Sequence, residues 1–248
     1  MTDQAAQLST QQSNPELQER DIVLSVVASL IDTNGNARSK ALLRKQALLT
    51  ALIRKLQKHP DFAPLLLDAE ARLIVRASAL QDIGKSNVPD KILLKPGKLT
   101  PAEYELVKKH PTTGYEALRE AERLLGHAST FLRYAQEIAW CHQEKWDGSG
   151  YPRQLRGETI PFAARMASII DVYNAITSQR VYKPALPHED AIEIMRDLRG
   201  RAFDPRITDA FLEISSEIGT LARKYADRFD QQAEIERLAS AAAEEITL

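Results

Sequence analysis

The chain of 248 residues is long enough for one large domain or two small ones. Its 33 lysines and arginines balance 34 aspartates and glutamates, and this near-neutral composition argues against a nucleic-acid partner. The single cysteine, Cys141, can form neither a disulfide within the chain nor a thiolate metal site, which favours a cytoplasmic protein. Residues 1–19 lack the apolar stretch of a signal peptide, and no apolar run approaches the roughly 18 residues of a membrane span, so we expect no membrane partner.

The predicted elements are all helical. Thr2 to Asn14 show no apolar periodicity, and we predict a disordered segment over 1–16 followed by one helical domain over 17–248. From residue 17 onward, apolar side chains recur at three- and four-residue intervals, which is typical of helices. This spacing predicts helices over residues 17–31, 42–56, 67–81, 101–109, 112–124, 128–143, 162–178 and 188–198, with a C-terminal helix from about 205. The predicted fold class is therefore all-α, a helical bundle.

Two long ordered loops interrupt this pattern. Ser86–Leu99 and Trp146–Ile160 contain most of the closely spaced prolines and glycines, and we expect the first loop to have no regular structure. Directly after it, Thr100-Pro101-Ala102-Glu103 has the spacing of a capping box, with proline at the first helical position. A helix is therefore expected to start at Pro101.

The residue types alone leave the chemistry open. No two of the five histidines are spaced to bind a metal from one turn of a helix. Asp82 and Asp171, however, lie on or beside apolar helical faces, where a carboxylate has to be paired or to bind a cation. On composition alone, a salt bridge to a nearby arginine or lysine is the favoured interpretation.

Several segments, in order along the chain, point to more than a salt bridge. They are Gln81-Asp82-Ile83-Gly84-Lys85, Leu94-Lys95-Pro96-Gly97-Lys98-Leu99-Thr100, Lys109-His110-Pro111, the stretch from His142 to Pro152, Ile170-Asp171-Val172-Tyr173-Asn174-Ala175, residues 177–183 and Phe203-Asp204-Pro205. Together they resemble the HD-GYP family of bacterial phosphohydrolases, over about residues 30–211.

The resemblance implies a helical HD domain with a cluster of two or three transition metals, iron or manganese, that hydrolyses cyclic di-GMP through metal-activated water. The positions that match the family's metal ligands are Asp82, His110, His142 and Asp171. Lys85 matches its proton-donating, catalytic lysine. The positions that match its substrate-binding residues are Gly150 and Tyr151, which line the nucleotide pocket, and Arg180 and Lys183, which contact phosphate.

The chain departs from the family at three ligand positions. Gln81 and Gln143 replace histidines, and Ala37 stands where the family has an upstream histidine. One of the family's metal sites therefore keeps no imidazole, and two carboxylates alone bind a transition metal weakly. The neighbouring site keeps Asp82, His110 and His142. Three ligands can hold a metal, so we expect one transition metal, iron or manganese, or no metal at all.

Three functions stay open. The preferred one is a degenerate HD-GYP protein of cyclic di-GMP signalling, catalytically impaired, that acts as a nucleotide sensor or a protein-interaction module. The alternatives are an active metal-dependent cyclic di-GMP phosphodiesterase with a reduced metal site and an adaptor without nucleotide binding. The expected partners are cyclic di-GMP or a related cyclic dinucleotide and a signalling protein that contacts the Gly150-Tyr151-Pro152 loop. The stretch from Leu221 to Leu248 fits a homodimer helix and a capping helix equally well.

Overall fold

The structure, a computed structural model, describes residues 38–95, 97–178 and 185–226. All regular elements in these ranges are helices, and the all-α prediction is confirmed. The α-helices are α1 (Arg38–Leu56), α2 (Asp68–Ala77), α3 (Asp90–Leu93), α4 (Pro101–Val107), α5 (His110–Leu125), α6 (Thr130–Cys141), α7 (Phe162–Thr177), α8 (His188–Asp197), α9 (Pro205–Glu213) and α10 (Ser215–Lys224). Short 3-10 helices cover Ala63–Leu65, Ser78–Leu80, Ile83–Asn87 and Gly157–Thr159.

Several predicted features lie outside the described residues. They are the segment over 1–16, the helix over 17–31, Ala37, Arg180, Lys183 and the part of the C-terminal stretch beyond residue 226. The division into a short N-terminal segment and one helical domain therefore stays a prediction.

Helix α7 runs through the centre of the bundle. Its sequence combines small alanines with larger apolar residues on all sides, and most of its side chains are buried. Helices α1, α6, α8 and α9 pack against it. From α1, the fully buried side chains are Leu48, Leu49, Leu52, Ile53 and Leu56. No α-helix in the described part of the chain is long and apolar enough to cross a membrane.

Local sequence sets the helix boundaries near the predicted site. The Thr100 hydroxyl accepts the backbone N–H of Glu103, and the Glu103 carboxylate accepts that of Thr100, so the expected capping box starts α4 at Pro101. Pro111, which has no N–H to leave unpaired, occupies the first turn of α5. These signals separate α4 from α5 and place His110 at the very start of α5.

The expectation that Ser86–Leu99 has no regular structure is wrong. A 3-10 helix, Ile83–Asn87, extends into this loop, and the short helix α3 follows at Asp90–Leu93. Pro89 directly precedes α3, so a proline interpreted as a loop signal instead starts a helical turn.

The motif Phe203-Asp204-Pro205 attaches the second loop to the central helix. The buried Asp204 carboxylate caps the first turn of α9 and also accepts a hydrogen bond of 2.6 Å from Arg165 of α7. Just before the motif, the carbonyl oxygen of Ala202 accepts the backbone N–H of Trp146 at 3.1 Å. The loop that contains Gly150 and Tyr151 is thereby held next to α7.

Candidate metal centre

Three of the predicted metal ligands meet between the start of α5 and the end of α6. Asp82 lies in the turn between two 3-10 helices, His110 is the first residue of α5, and His142 directly follows α6. The Oδ1 atom of Asp82 lies 3.5 Å from Nε2 of each histidine, and the two Nε2 atoms lie 3.2 Å apart. Among the described histidine, cysteine and acidic side chains, these three form a group that could hold a metal ion. We call it the histidine triangle.

Glycine at position 84 makes this close approach possible. A Cβ atom there would lie 2.0 Å from the carbonyl oxygen of His110 and 2.5 Å from the backbone nitrogen of Gly114. Because both atoms belong to the backbone of α5, a larger residue fits only if the turn or the helix moves. The turn that carries Asp82 and Lys85 is therefore held against the N-terminal end of α5.

Backbone carbonyl groups fix the orientation of both imidazoles. Nδ1 of His110 lies 2.7 Å from the carbonyl oxygen of Val107, and Nδ1 of His142 lies 3.0 Å from that of Ile138. A carbonyl oxygen only accepts, so each Nδ1 carries a hydrogen, and each ring turns its Nε2 atom toward the triangle. Burial, together with the nearby His142, lowers the pKa of His110 to about 4, so His110 is neutral at pH 7.

The histidine triangle fits one transition metal. Ligand atoms about 2.1 Å from a tetrahedral metal lie about 3.4 Å from one another, close to the 3.2 and 3.5 Å between the atoms of the triangle. Oδ1 of Asp82 is buried and forms no well-aligned hydrogen bond with the described residues, although Nζ of Lys85 lies 3.0 Å away. A carboxylate oxygen and two imidazole lone pairs that face one another repel each other unless a cation lies between them. This donor set is one that a divalent transition metal accepts.

Lys85 lies beside the triangle. Its Nζ is 3.0 Å from Oδ1 of Asp82. Burial raises the pKa of Asp82, but the positive charge of Lys85, the neighbouring His142 side chain and the positive charge of Lys45 outweigh it and hold that pKa well below its ordinary value. Asp82 is therefore ionised at neutral pH and presents an anionic ligand.

The fourth predicted metal ligand, Asp171, lies outside the triangle and is paired with a lysine. Its Oδ1 is 2.5 Å from Nζ of Lys45 in α1. Burial raises the pKa of Asp171, but the surrounding positive charges, Lys45 above all, lower it below its ordinary value. Gln81 is 4% exposed, and its Nε2 is buried without a hydrogen-bond partner among the described residues. Lys45, Gln81 and Asp171 line one small cavity, which we call the lysine pocket.

The second loop is shaped by a buried glutamate and a glycine. Glu144, which is 2% exposed, accepts the backbone N–H groups of Arg153 at 2.6 Å and of Leu155 at 3.0 Å. A Cβ atom on Gly150 would lie 2.3 Å from the backbone nitrogen of Lys145. Gly150 thus meets a steric requirement of the loop, and its contact with a nucleotide stays a prediction.

Tyr151 lies between the metal centre and an exposed aromatic residue. Its ring is edge-on to that of Tyr104, with centroids 6.5 Å apart, and Nζ of Lys108 lies 5.9 Å from its centroid. Burial, Tyr104 and the negative charges of Asp82 and Asp171 raise the pKa of Tyr151. The phenol is therefore protonated at neutral pH and close enough to both carboxylates to be affected by their charge.

The sequence interpretation missed Lys45 and Glu144. Lys45 precedes the buried Leu49 by four residues and the buried Leu52 by seven, a spacing that places it on the inner face of α1 and could have identified it. The role of Glu144 depends on backbone groups nine and eleven residues further along, whose position only the folded loop determines.

Comparison with known proteins shows the family and the fold of this chain. Residues 29–207 match the family model described as HD domain. A cyclic di-GMP phosphodiesterase of Vibrio cholerae is 42% identical over 208 residues, which cover 84% of this chain and 42% of that protein. A 3'3'-cGAMP-specific phosphodiesterase of the same organism is 41% identical over 148 residues, 60% of this chain and 27% of that protein. A solved structure of an HDG"Y"P protein from Bdellovibrio bacteriovorus matches with a TM-score of 0.50 at 15% identity, over 84% of this chain and 74% of that one.

The chain belongs to the HD domain family, because the family model covers most of its length. Its resemblance to the HD-GYP proteins within that class is confirmed by relatives that are named cyclic di-GMP phosphodiesterases. The chain spans less than half the length of the curated relatives it matches, 42% and 47% of the first two.

Proposed function

We propose that this HD domain binds a cyclic dinucleotide, hydrolyses it poorly or not at all, and acts in cyclic di-GMP signalling as a nucleotide sensor or protein-interaction module. Relatives at 41% and 42% identity are named for their action on 3'3'-cGAMP and cyclic di-GMP. Cyclic dinucleotides are therefore the ligand class that the family supports best.

The contrast between the histidine triangle and the lysine pocket carries the proposal of impaired hydrolysis. Each region has a carboxylate beside a lysine, but the triangle adds two imidazoles, whereas the pocket adds only the amide of Gln81. A metal bound to the triangle supplies a Lewis acid toward a phosphate oxygen. The pocket leaves a neighbouring second metal without a nitrogen ligand, and carboxylates alone hold such a metal weakly against water.

An aromatic and basic surface beside the triangle supports nucleotide binding. Tyr104 is 47% exposed, and the Lys108 ammonium lies 5.6 Å from its ring centroid. Aromatic faces stack on bases, and an ammonium group attracts phosphate. Arg180 and Lys183, if they lie at the phosphates as the family resemblance implies, add a guanidinium fork and a second positive charge.

Calorimetry with cyclic di-GMP tests the binding function. We expect a dissociation constant in the micromolar range, about −8 kcal/mol, and weaker binding at high salt because much of the attraction is between charges. Arg180→Ala is expected to lower the affinity about tenfold or more, since a hydrogen bond to a charged group contributes about 1.5–3 kcal/mol. Arg196→Ala, which removes an arginine of α8 that is paired with Glu193, is the control and leaves the affinity unchanged.

Two outcomes would redirect the proposal. If wild-type protein gives no heat at low salt and no thermal shift at millimolar nucleotide, the sensor function fails. The adaptor function then takes its place, with the Gly150-Tyr151-Pro152 loop as the protein-contact surface. If manganese- or iron-loaded protein turns over cyclic di-GMP on the order of once per second, the histidine triangle alone supports catalysis and the protein is an active phosphodiesterase with a reduced site.

A further inference from the structure

The centre combines two carboxylates with two lysines. Asp82 belongs to the histidine triangle, and Asp171 lines the lysine pocket. Lys85 contacts Asp82 at 3.0 Å and Lys45 contacts Asp171 at 2.5 Å. Asp82 also faces two imidazole nitrogens at 3.5 Å, whereas the described residues that line the pocket around Asp171 include no histidine. Lys45 therefore supplies the positive charge among these lining residues, which lack an imidazole ligand.

We propose that the ammonium group of Lys45 takes the place of a second metal ion, so that the centre is built for one metal in the histidine triangle and one lysine in the neighbouring pocket. This inference rests on the one-metal centre of the proposed function. A lysine is positively charged at neutral pH, and a metal needs its carboxylate oxygen at about 2.0–2.2 Å. Nζ of Lys45 already lies 2.5 Å from Oδ1 of Asp171, so an ammonium and a metal compete for the same oxygen.

The remaining wall of the lysine pocket supports the same conclusion. Gln81 stands next to Asp82 in the chain, where the resemblance implies an imidazole, and its amide lies against the same cavity as Lys45 and Asp171. An amide nitrogen offers no lone pair to a metal, unlike imidazole. The described wall of the pocket therefore lacks a nitrogen ligand for a metal and contains the ammonium group of Lys45 instead.

The inference is tested by placing a histidine at position 81, with and without Lys45, and measuring bound metal. Manganese bound per chain is measured by elemental analysis and by titration, for wild type, Gln81→His, and Gln81→His combined with Lys45→Met. The control combines Gln81→His with Lys55→Met, because Lys55 lies on the same helix and pairs with Glu213 at the surface. We expect one manganese ion per chain in wild type, in Gln81→His and in the Lys55→Met control, and a second manganese ion only in the variant that combines Gln81→His with Lys45→Met.

The outcomes separate this inference from the proposed function. A second manganese ion in Gln81→His alone, or none when Lys45→Met is added, overturns the role of Lys45. The difference in bound manganese between Gln81→His with Lys45 and Gln81→His without it decides the role of Lys45, whatever number of manganese ions wild type binds. A wild-type count of zero instead contradicts the one-metal centre.

Thermal unfolding gives a second measurement that needs no engineered ligand. Lys45→Met leaves Asp171 without its cation, so its melting temperature in a chelator should fall below that of wild type. Added manganese should then raise the melting temperature of Lys45→Met more than that of wild type, because a divalent ion can replace the missing ammonium. Equal manganese shifts in the two proteins would overturn the inference. If Lys45→Met does not fold, Lys45→Gln, which keeps a hydrogen-bond donor for Asp171, gives the same comparison.

Discussion

The histidine triangle and the lysine pocket are neighbours that differ in the cation they are suited to hold. In the triangle, two imidazole Nε2 atoms and a carboxylate oxygen converge at separations of 3.2 to 3.5 Å, with Nζ of Lys85 3.0 Å from that oxygen. In the pocket, the carboxylate of Asp171 is already in contact with an ammonium group at 2.5 Å. A partly buried carboxylate that has no metal still needs a cation, because an unpaired buried charge is costly. The presence of Asp171, for which the resemblance implies a metal-ligand role, can therefore be explained by its salt bridge in the fold without a bound metal.

The largest effect is expected when Asp82 and Asp171 are replaced one at a time and bound metal is measured. Asp82→Ala removes the anionic ligand of the triangle, and we expect metal affinity to fall beyond the roughly 10–100-fold that loss of an outer-shell partner costs. Asp171→Ala is the matched change, and we expect it to lower stability while the protein keeps one metal per chain. Elemental analysis of both variants, with circular dichroism to check folding, makes the comparison. Equal loss of metal in both would mean that the two regions form one site.

A larger residue at Gly84 should displace the backbone of the turn that carries Asp82 and so disturb the histidine triangle. Gly84→Ala places a Cβ 2.0 Å from the carbonyl oxygen of His110, and we expect about 3 kcal/mol of lost stability, at the upper end of overpacking effects. Gly126→Ala is the control, because a Cβ atom at this position would meet nothing within 4 Å. Only its backbone φ of 78° disfavours alanine, and we expect a loss of stability of about 1–2 kcal/mol. Urea denaturation measures both. Similar losses in the two variants would show that contact with α5 is not what Gly84 provides.

More of the fold than of the site could be predicted from the sequence. Apolar spacing and the capping box at Thr100 placed most helices, because these signals act within a few residues. The meeting of Asp82, His110 and His142 followed from the family resemblance and not from spacing, since the three residues are far apart in the chain. Composition favoured a salt bridge at Asp171, but it could not name Lys45 as the partner, because the pair joins residues of α1 and α7 whose contact exists only in the folded bundle.

The smallest expected effect lies away from both regions, at the start of α4. Hydrogen bonds from Lys95 and from the backbone of Thr100 lower the pKa of Glu103 from 4.5 to about 2. A carboxyl group whose pKa is lower in the folded chain stabilises the fold above its unfolded pKa, and that contribution is lost as the pH falls from about 4.5 toward 2. Glu103→Gln should therefore lower the melting temperature slightly at pH 6 and much less at pH 2, with no change in bound metal at pH 7. A difference in melting temperature that is as large at pH 2 as at pH 6 would show that the carboxylate charge is not its source.

The most direct test of the contrast between triangle and pocket is the number of manganese ions per wild-type chain. Protein is loaded with excess manganese, freed of unbound ions and analysed for metal and protein in the same sample. We expect one manganese ion per chain, bound by the two imidazoles and the carboxylate of the triangle. The lysine pocket binds none, because the ammonium group of Lys45 occupies it. Two manganese ions per wild-type chain would contradict it.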